Sequence, residues 1–291
     1  IAGHINPDVD AMAAMLGLAR LLPNHGTVVL PQTHLNKRAL FVQDLATDVP
    51  IVGDEYIAQA DGIVVVDTAT TARINIPGTW ESISDRYVIN IDHHITNTDY
   101  GRVNWVVDDA SSTSEMIFHL AQAAGWLIDR TTACLLYAGL FADTGGFSLP
   151  NTTPQAFEAA ATLVRHGADV ERIGGRLSHN HHPSEFDLLR IVYHNTRLIH
   201  NGLIAYSTLS REEIAHTGCS PEDIDDQVSI PRSLTGIRVA VLFSEIEPGL
   251  VRVNLRGENG TPVLPIASTL GGGGHQYSAG VRVRGALDAA V

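Results

Sequence analysis

Four short stretches of this chain each set a carboxylate or an imidazole at the end of an apolar run. They are G-H-I-N-P-D-V-D-A (3–11), I-V-V-V-D-T (63–68), N-I-D-H-H-I-T-N (90–97) and L-F-A-D-T-G-G-F (140–147). This placement constrains the fold strongly. In an open α/β sheet, ligands collect in the crevice outside the carboxyl ends of the strands. Strand and helix ends that each deliver a polar group therefore converge on one crevice. Six of these residues, His4, Asp8, Asp10, Asp67, His93 and Asp143, are the types a site for two metal ions needs.

The pattern between these stretches has the rhythm of alternating strand and helix. A-M-A-A-M-L-G-L-A-R-L-L (11–22) reads as a helix stopped by Pro23. T-V-V-L-P (27–31) reads as a strand and 33–46 as a helix. Residues 62–67 and 87–92 are short, β-branched and not alternating, as expected of strands buried on both faces. Helices are expected over 112–125, with Gly125 as a stop, over 131–142 and over 153–167. The fold class is α/β: a doubly wound, mostly parallel sheet in the N-terminal domain.

The last third changes character. After a polar stretch at 177–185 and a helical run at 184–197, strands are expected at 202–209, 236–246 and 250–257, the last two joined through E-P-G as a hairpin. The expected organisation is a catalytic metal-binding domain over 1–170, a helical linker over 171–200, and a smaller α/β substrate-binding domain over 201–291, with the active-site cleft between the two domains. No internal repeat is visible.

Composition narrows the function. A net charge of −13 and a pI near 5.4 leave no basic face for long nucleic acid. A nucleic-acid substrate should therefore be short and held locally by metals and a few arginines. No apolar run approaches the ~18–20 residues of a membrane span. The two cysteines, Cys134 and Cys219, do not make a disulfide framework, and Cys134 sits in an apolar helical pattern as a small buried hydrophobe. A cytoplasmic location is expected. The chain opens on Ile1, immediately before a motif, so a further N-terminal segment is expected as well. The single lysine, Lys37, among arginines reflects lineage bias.

Residue types suggest how the metals would be held. Asp8 and Asp10 are two apart at the entry to a helix, with His4 one loop turn earlier, so the loop can aim His4 and one Asp at one ion and the other Asp at a neighbour. Asp67 can bridge both ions, and His93 and Asp143 complete the second. Two ions ~3.5–4 Å apart stabilise the attacking and leaving oxygens of in-line displacement at phosphorus and acidify a water. Carboxylate and imidazole donors suit Mn²⁺, Mg²⁺ or Fe²⁺ better than a thiolate-binding metal, and Mn²⁺ is the expected ion. His94 can serve the leaving oxygen, and Asp92 can orient an imidazole.

Each residue taken alone has a simpler reading. Asp8 or Asp10 makes a good N-cap for the helix at Ala11, and Asp143-Thr144-Gly145-Gly146 a plain helix-ending turn. Ser111, Ser112 and Thr113 read as an N-cap region, with Glu115 as capping-box partner of Ser112, ahead of a phosphate contact. His179, His181 and His182 read as a solvated linker rather than a metal site. The joint pattern of four stretches favours the metal reading.

That joint pattern resembles the DHH phosphoesterase superfamily, named for the triplet at Asp92, His93 and His94. The C-terminal G-G-G-G-H-Q-Y-S-A-G (271–280) resembles the G-G-G-H-x-x-A-A-G signature of its associated substrate-binding domain, and V-R-V-N-L-R-G (251–257) resembles that domain's arginine strand. The resemblance implies one ion held by His4, Asp8 and Asp67 and a second by Asp10, Asp67, His93 and Asp143, with catalysis resting on Asp67 and His94. It also implies substrate contacts from Arg256, Gly272, Gly273, Gly274 and His275. Glycine backbone can form an anion nest there, His275 can donate to the same anion, and Arg256 offers a planar fork for phosphate. Arg252 is a weaker candidate. Asn254, Gly257, Tyr277 and Ser278 depart from the family pattern and touch specificity more than fold.

Length, acidity and the glycine motif point within the family to the compact NrnA-like type. That resemblance implies a hydrolase of short oligoribonucleotides (nanoRNA) and of the 3′-phosphate of pAp (adenosine 3′,5′-bisphosphate). The alternatives are a stand-alone phosphodiesterase of pApA or cyclic di-AMP, and a non-catalytic nucleotide-binding regulator. Homodimers are common among such proteins, and no interface is legible here.

Overall fold

The computed structural model describes residues 1–22, 26–30, 35, 37–76, 80, 83–178, 183–219, 224 and 227–291. His179, His181 and His182 lie outside the described residues. The chain divides into two units, Ile1–Asn180 and His181–Val291.

The first unit runs α1 (Val9–Leu21), β1 (Val28–Val29), α2 (Lys37–Gln43), β2 (Ile51–Val52), a 3₁₀ turn (Asp54–Gln59), β3 (Gly62–Val66), a second 3₁₀ turn (Thr71–Arg73), β4 (Tyr87–Asp92), β5 (Val103–Val106), α3 (Thr113–Ala124), α4 (Arg130–Asp143), α5 (Pro154–Arg165) and α6 (Val170–Ser178). β3, β4 and β5 form a parallel sheet, and β1 and β2 a second parallel pair. The first residues of the chain stitch the two together. Ala2 N donates to Val64 O at 2.9 Å, Val66 N to Ala2 O at 2.9 Å, and Val29 N to Ile1 O at 2.8 Å. With Ile1–Gly3 as the first strand, the sequence order across the sheet is 3-2-1-4-5-6. Its switch point falls between the first segment and β3, where an open α/β sheet takes its ligands.

Both faces of the strands are buried, which explains why they read as continuous apolar runs. Ile63, Val65 and Val88 face one side, packed with Ile57, Ile74 and Ile83 from the 3₁₀ turns and loops. Val66 and Ile91 face the other, the large core under the helices. The central helix α1 has 12 of its 13 residues buried, so it shows almost no polar face. Gly17 lets α4 approach it: a Cβ there would meet Leu136 Cδ2 at 2.7 Å.

Several expectations shift at their edges. Ser112 caps α3, accepting from Glu115 N at 3.0 Å, and Gly125 ends the helix in the left-handed region as expected. The Glu115 carboxylate, however, accepts from Ser111 N at 2.8 Å rather than from Ser112, so the capping box is shifted by one residue. α6 lies ahead of the polar stretch, overlapping it only at Leu177 and Ser178, and falls within the helical linker expected over 171–200. Gly174 and Gly175 weaken its local helix signal, and Ile173 and Leu177, four apart, bury to hold it.

The second unit runs α7 (Pro183–Asn195), β6 (Arg197–Ile199), β7 (Ile204–Leu209), α8 (Arg211–Thr217), α9 (Ser229–Arg232), β8 (Val239–Glu247), β9 (Leu250–Gly257), α10 (Leu264–Thr269), β10 (Gly273–His275), β11 (Ser278–Arg284) and α11 (Leu287–Ala290). Its six-stranded sheet has the order β10-β11-β9-β8-β7-β6, with only β7 and β8 parallel. β8 and β9 are the expected hairpin. One face packs Ala205, Leu209, Ala240 and Leu242 with Leu188 and Val192 of α7. The opposite face buries Val251, Val253, Leu255, Ala279 and Val281.

Candidate metal centre

Asp67 follows β3 in a left-handed conformation, φ +52°. Aspartate tolerates that region better than most residues, but the departure from the strand turns its carboxylate into the site. The side chain is 3% exposed, and its two oxygens face opposite ways. Oδ2 lies 3.6 Å from His4 Nε2, and Oδ1 lies 3.6 Å from His93 Nε2. Thr113 Oγ1 donates to Oδ1 at 2.9 Å.

Two groups of donors gather around that carboxylate. His4, Asp8 and Asp67 form one, and Asp10, His93 and Asp143 the other; Asp67, His93 and His94 also lie together. Asp8 is the N-cap of α1, accepting from Ala11 N at 3.0 Å, and its Oδ1 is 4.0 Å from His4 Nε2. Capping therefore fixes this half-exposed carboxylate at the rim. Asp10, in the first turn of α1, is 2% exposed and is gripped by the start of α3: Thr113 N donates to its Oδ2 at 2.7 Å and Ser114 N to its Oδ1 at 3.0 Å. Gly139 of α4 makes room for it, since a Cβ there would meet Asp10 Oδ1 at 2.5 Å. Asp143, at the end of α4, lies 3.4 Å from His93 Nε2. Asn151 ties the loop beyond it, donating to Asp143 O at 3.1 Å and Ser111 O at 3.0 Å.

The imidazoles are oriented differently. His4 Nδ1 lies 2.9 Å from Ile5 O and His93 Nδ1 3.2 Å from Ala110 O. Protons assigned to those nitrogens leave both Nε2 atoms turned to the carboxylates, the usual arrangement for a metal-ligating histidine. His94 instead sets Nδ1 2.7 Å from Asp92 Oδ1. Asp92 is itself fixed by Asn97 Nδ2, at 2.5 Å from its Oδ2.

The electrostatics are those of a cation site. Burial, then Asp67 and Asp143 nearby, hold the Asp10 carboxyl well above its usual range. Burial likewise lifts Asp143 to about 6, against the pull of His93. Burial pushes Asp67 upward too, but His4, His94 and His93 outweigh it and hold the carboxylate ionised. Burial disfavours the His93 imidazolium, and Asp143, Asp67 and Asp10 overcome this to raise it to about 9. Buried carboxylates are costly without compensating charge. Divalent cations supply that charge, and the oxygen and imidazole donors present fit them.

All six expected ligands thus lie in one cluster, with His94 beside it. Ser114, Gly139 and Asn151 are not read from the sequence as parts of this site, and Thr113 reads there as part of an N-cap ahead of a phosphate contact, not as a support for Asp10 and Asp67. Gly139 inside an apolar helix is the signal that points to close packing.

In the second unit, antiparallel register places Arg256 opposite Ser278, and Ser278 opposite His275. These three form a row across β9, β11 and β10. Two of the glycines have a packing reason: a Cβ on Gly272 would meet Gly280 O at 2.2 Å, and one on Gly274, at φ +134°, would meet Ser278 O at 2.5 Å. Gly273 faces open space. The segment is a paired strand rather than a loose turn.

Comparison with known proteins agrees with this architecture. The model of the DHH family, N-terminal domain, matches residues 1–140. A Thermus thermophilus protein, "Bifunctional oligoribonuclease and PAP phosphatase NrnA", is 32% identical over 98% of this chain and 84% of its own length. A Bacillus subtilis protein of the same name is 28% identical over 96% of this chain and 87% of its own. A crystal structure of an exopolyphosphatase-related protein from Bacteroides fragilis superposes with a TM-score of 0.88 at 24% identity, covering 99% of this chain and 87% of that one, and shares the fold. The chain belongs to the DHH family and is a hydrolase of phosphate esters.

Proposed function

We propose that this protein hydrolyses short oligoribonucleotides and removes the 3′-phosphate of pAp to give AMP. The observation that carries the reading is the Asp67 carboxylate, with one oxygen 3.6 Å from His4 and the other 3.6 Å from His93. His4, Asp8 and Asp67 would hold one divalent ion, and Asp10, Asp67, His93 and Asp143 a second, Mn²⁺ before Mg²⁺ or Fe²⁺. When bound, such ions neutralise charge at a reacting phosphate and lower the pKa of water.

The chain's own groups supply the rest. The α3 amides and Thr113 hold Asp10 and Asp67 in register, so the donors need little reorganisation. Burial opposes a charge on His94, but the Asp92 carboxylate, with Asp67 adding to it, raises the imidazole pKa. With Nδ1 held by Asp92, the proton to be delivered sits on Nε2, and His94 gives it to the leaving oxygen of the ester. Arg256 and His275, in one row of the second unit's sheet, with the backbone at Gly272, Gly273 and Gly274, bind the terminal anion of the substrate. A preference for short substrates belongs to this reading and agrees with the name of the Thermus thermophilus relative. Among the described residues no helix is long and apolar enough to cross a membrane, and we place the protein in the cytoplasm.

Product analysis by chromatography tests the reading. Protein with Mn²⁺ is incubated with pAp, pApA, cyclic di-AMP and an RNA ladder from dimer upward. Turnover of pAp and of the shortest RNAs, fading with length, is expected. Idle pAp with rapid pApA hydrolysis would replace this reading with a dinucleotide phosphodiesterase.

A further inference from the structure

The loop after Asp143 is unusually shaped. Gly145, Gly146 and Phe147 follow one another at φ +56°, +66° and +65°, a left-handed run. Two glycines adopt that conformation freely, but a residue as bulky as Phe does so only under constraint. The constraint is visible: Phe147 N donates to Thr144 Oγ1 at 3.1 Å, and Thr144 Oγ1 donates to Leu140 O at 2.7 Å. Ser148 N and Leu149 N close on Thr144 O at 2.9 and 3.0 Å. Backbone held in a sparsely populated region clusters at functional sites, where it aims a group.

The strained backbone aims the Phe147 ring along a line of aromatics. Inward, it meets Phe141 edge-on at 5.9 Å and Tyr137 at 6.1 Å. Outward, it stacks on Phe157 of α5 at 5.3 Å and 25°. Phe157 is 54% exposed, and the neighbouring Gly145 and Gly146 are exposed too. Packing alone asks for burial, which a relaxed aliphatic residue supplies. Phe157 offers a half-exposed ring on which a planar ligand can stack, backed by the partly buried Phe147, which lies four residues from the candidate metal ligand Asp143.

We propose that Phe147 and Phe157 form a platform for a nucleobase of the substrate whose ester reacts at Asp143. The inference rests on the nucleotide reading above and deepens it. Flat apolar rings carry no hydrogen-bond code, so the platform accepts any base. That suits an enzyme degrading short RNAs of every sequence.

The test compares pAp with its abasic counterpart, ribose 3,5-bisphosphate, in the wild type, Phe157→Ala and Phe147→Tyr. Phe157 is on the surface, so its truncation leaves the core alone, and Phe147→Tyr keeps the ring. In Phe157→Ala the ratio of kcat/KM for pAp over the abasic compound should fall about 5- to 150-fold, carried by KM, the range of one base–aromatic stack. Phe147→Tyr should retain the ratio. A 2-aminopurine analogue of pAp should be quenched on binding to the wild type and not to Phe157→Ala. An unchanged ratio and unchanged quenching in Phe157→Ala would overturn the platform. Wild-type hydrolysis of pAp with no preference over the abasic compound would overturn it while leaving the proposed activity intact. Quenching without hydrolysis of any nucleotide would do the reverse.

Discussion

The two units carry polar residues in opposite ways. In the first, Asp10, Asp67, His4 and His93 are buried at strand and helix ends, and their charges are shared among themselves. In the second, Arg256 and His275 stand half-buried on a sheet, brought into a row by cross-strand register. Buried like charges are tolerated only where something of opposite charge completes them. A half-solvated arginine needs no such completion. The first unit therefore has the charge balance of a cation site, and on the proposed reading the second captures the substrate's anion.

That contrast breaks most visibly at Asp67. Asp67→Asn keeps the shape but removes the charge shared by both donor groups, so kcat should fall by more than about 10³-fold in steady-state assays. Gly139→Ala sharpens the point without replacing a ligand. Its Cβ would collide with Asp10 Oδ1 and Ser114 Oγ, and Mn²⁺ affinity should weaken about 10- to 100-fold by calorimetry. Arg256→Ala probes the other unit. A lost charge-assisted hydrogen bond should raise KM about tenfold, with kcat and metal affinity little changed.

The smallest effect is in pH. In the metal-free chain His93 is raised to about 9 from 6.5, so its contribution to stability is fully present below pH 6.5 and lost as pH rises through about 9. Asp143, raised to about 6 from 3.8, adds a loss as pH climbs through that range. Melting temperatures in chelator should fall from pH 6 to 9. In Mn²⁺ the trend should weaken or reverse, because metal displaces those protons.

The parts of this molecule legible in the sequence are those where one residue reports its own environment. Short β-branched runs marked β3 and β4, and the polar residues at their ends marked the cluster. The joining role of Ile1–Gly3 was not legible, because three residues make no pattern. Nor were Thr113 and Gly139, which act through residues about 100 and 130 positions away in the chain. Glycines 272 and 274 read as a flexible or anion-binding turn, because their need for close strand approach appears only once β11 is in place. Phe147 lay inside a motif, but its left-handed backbone left no mark in the sequence.

The most direct measurement is metal stoichiometry. Wild type and Asp67→Ala would be dialysed to equilibrium in Mn²⁺ and analysed by elemental mass spectrometry, with folding checked by circular dichroism. The account predicts two ions per wild-type chain and loss of both from Asp67→Ala, because one carboxylate serves both donor groups. Two ions retained by a folded Asp67→Ala chain, or none bound by the wild type, would contradict it.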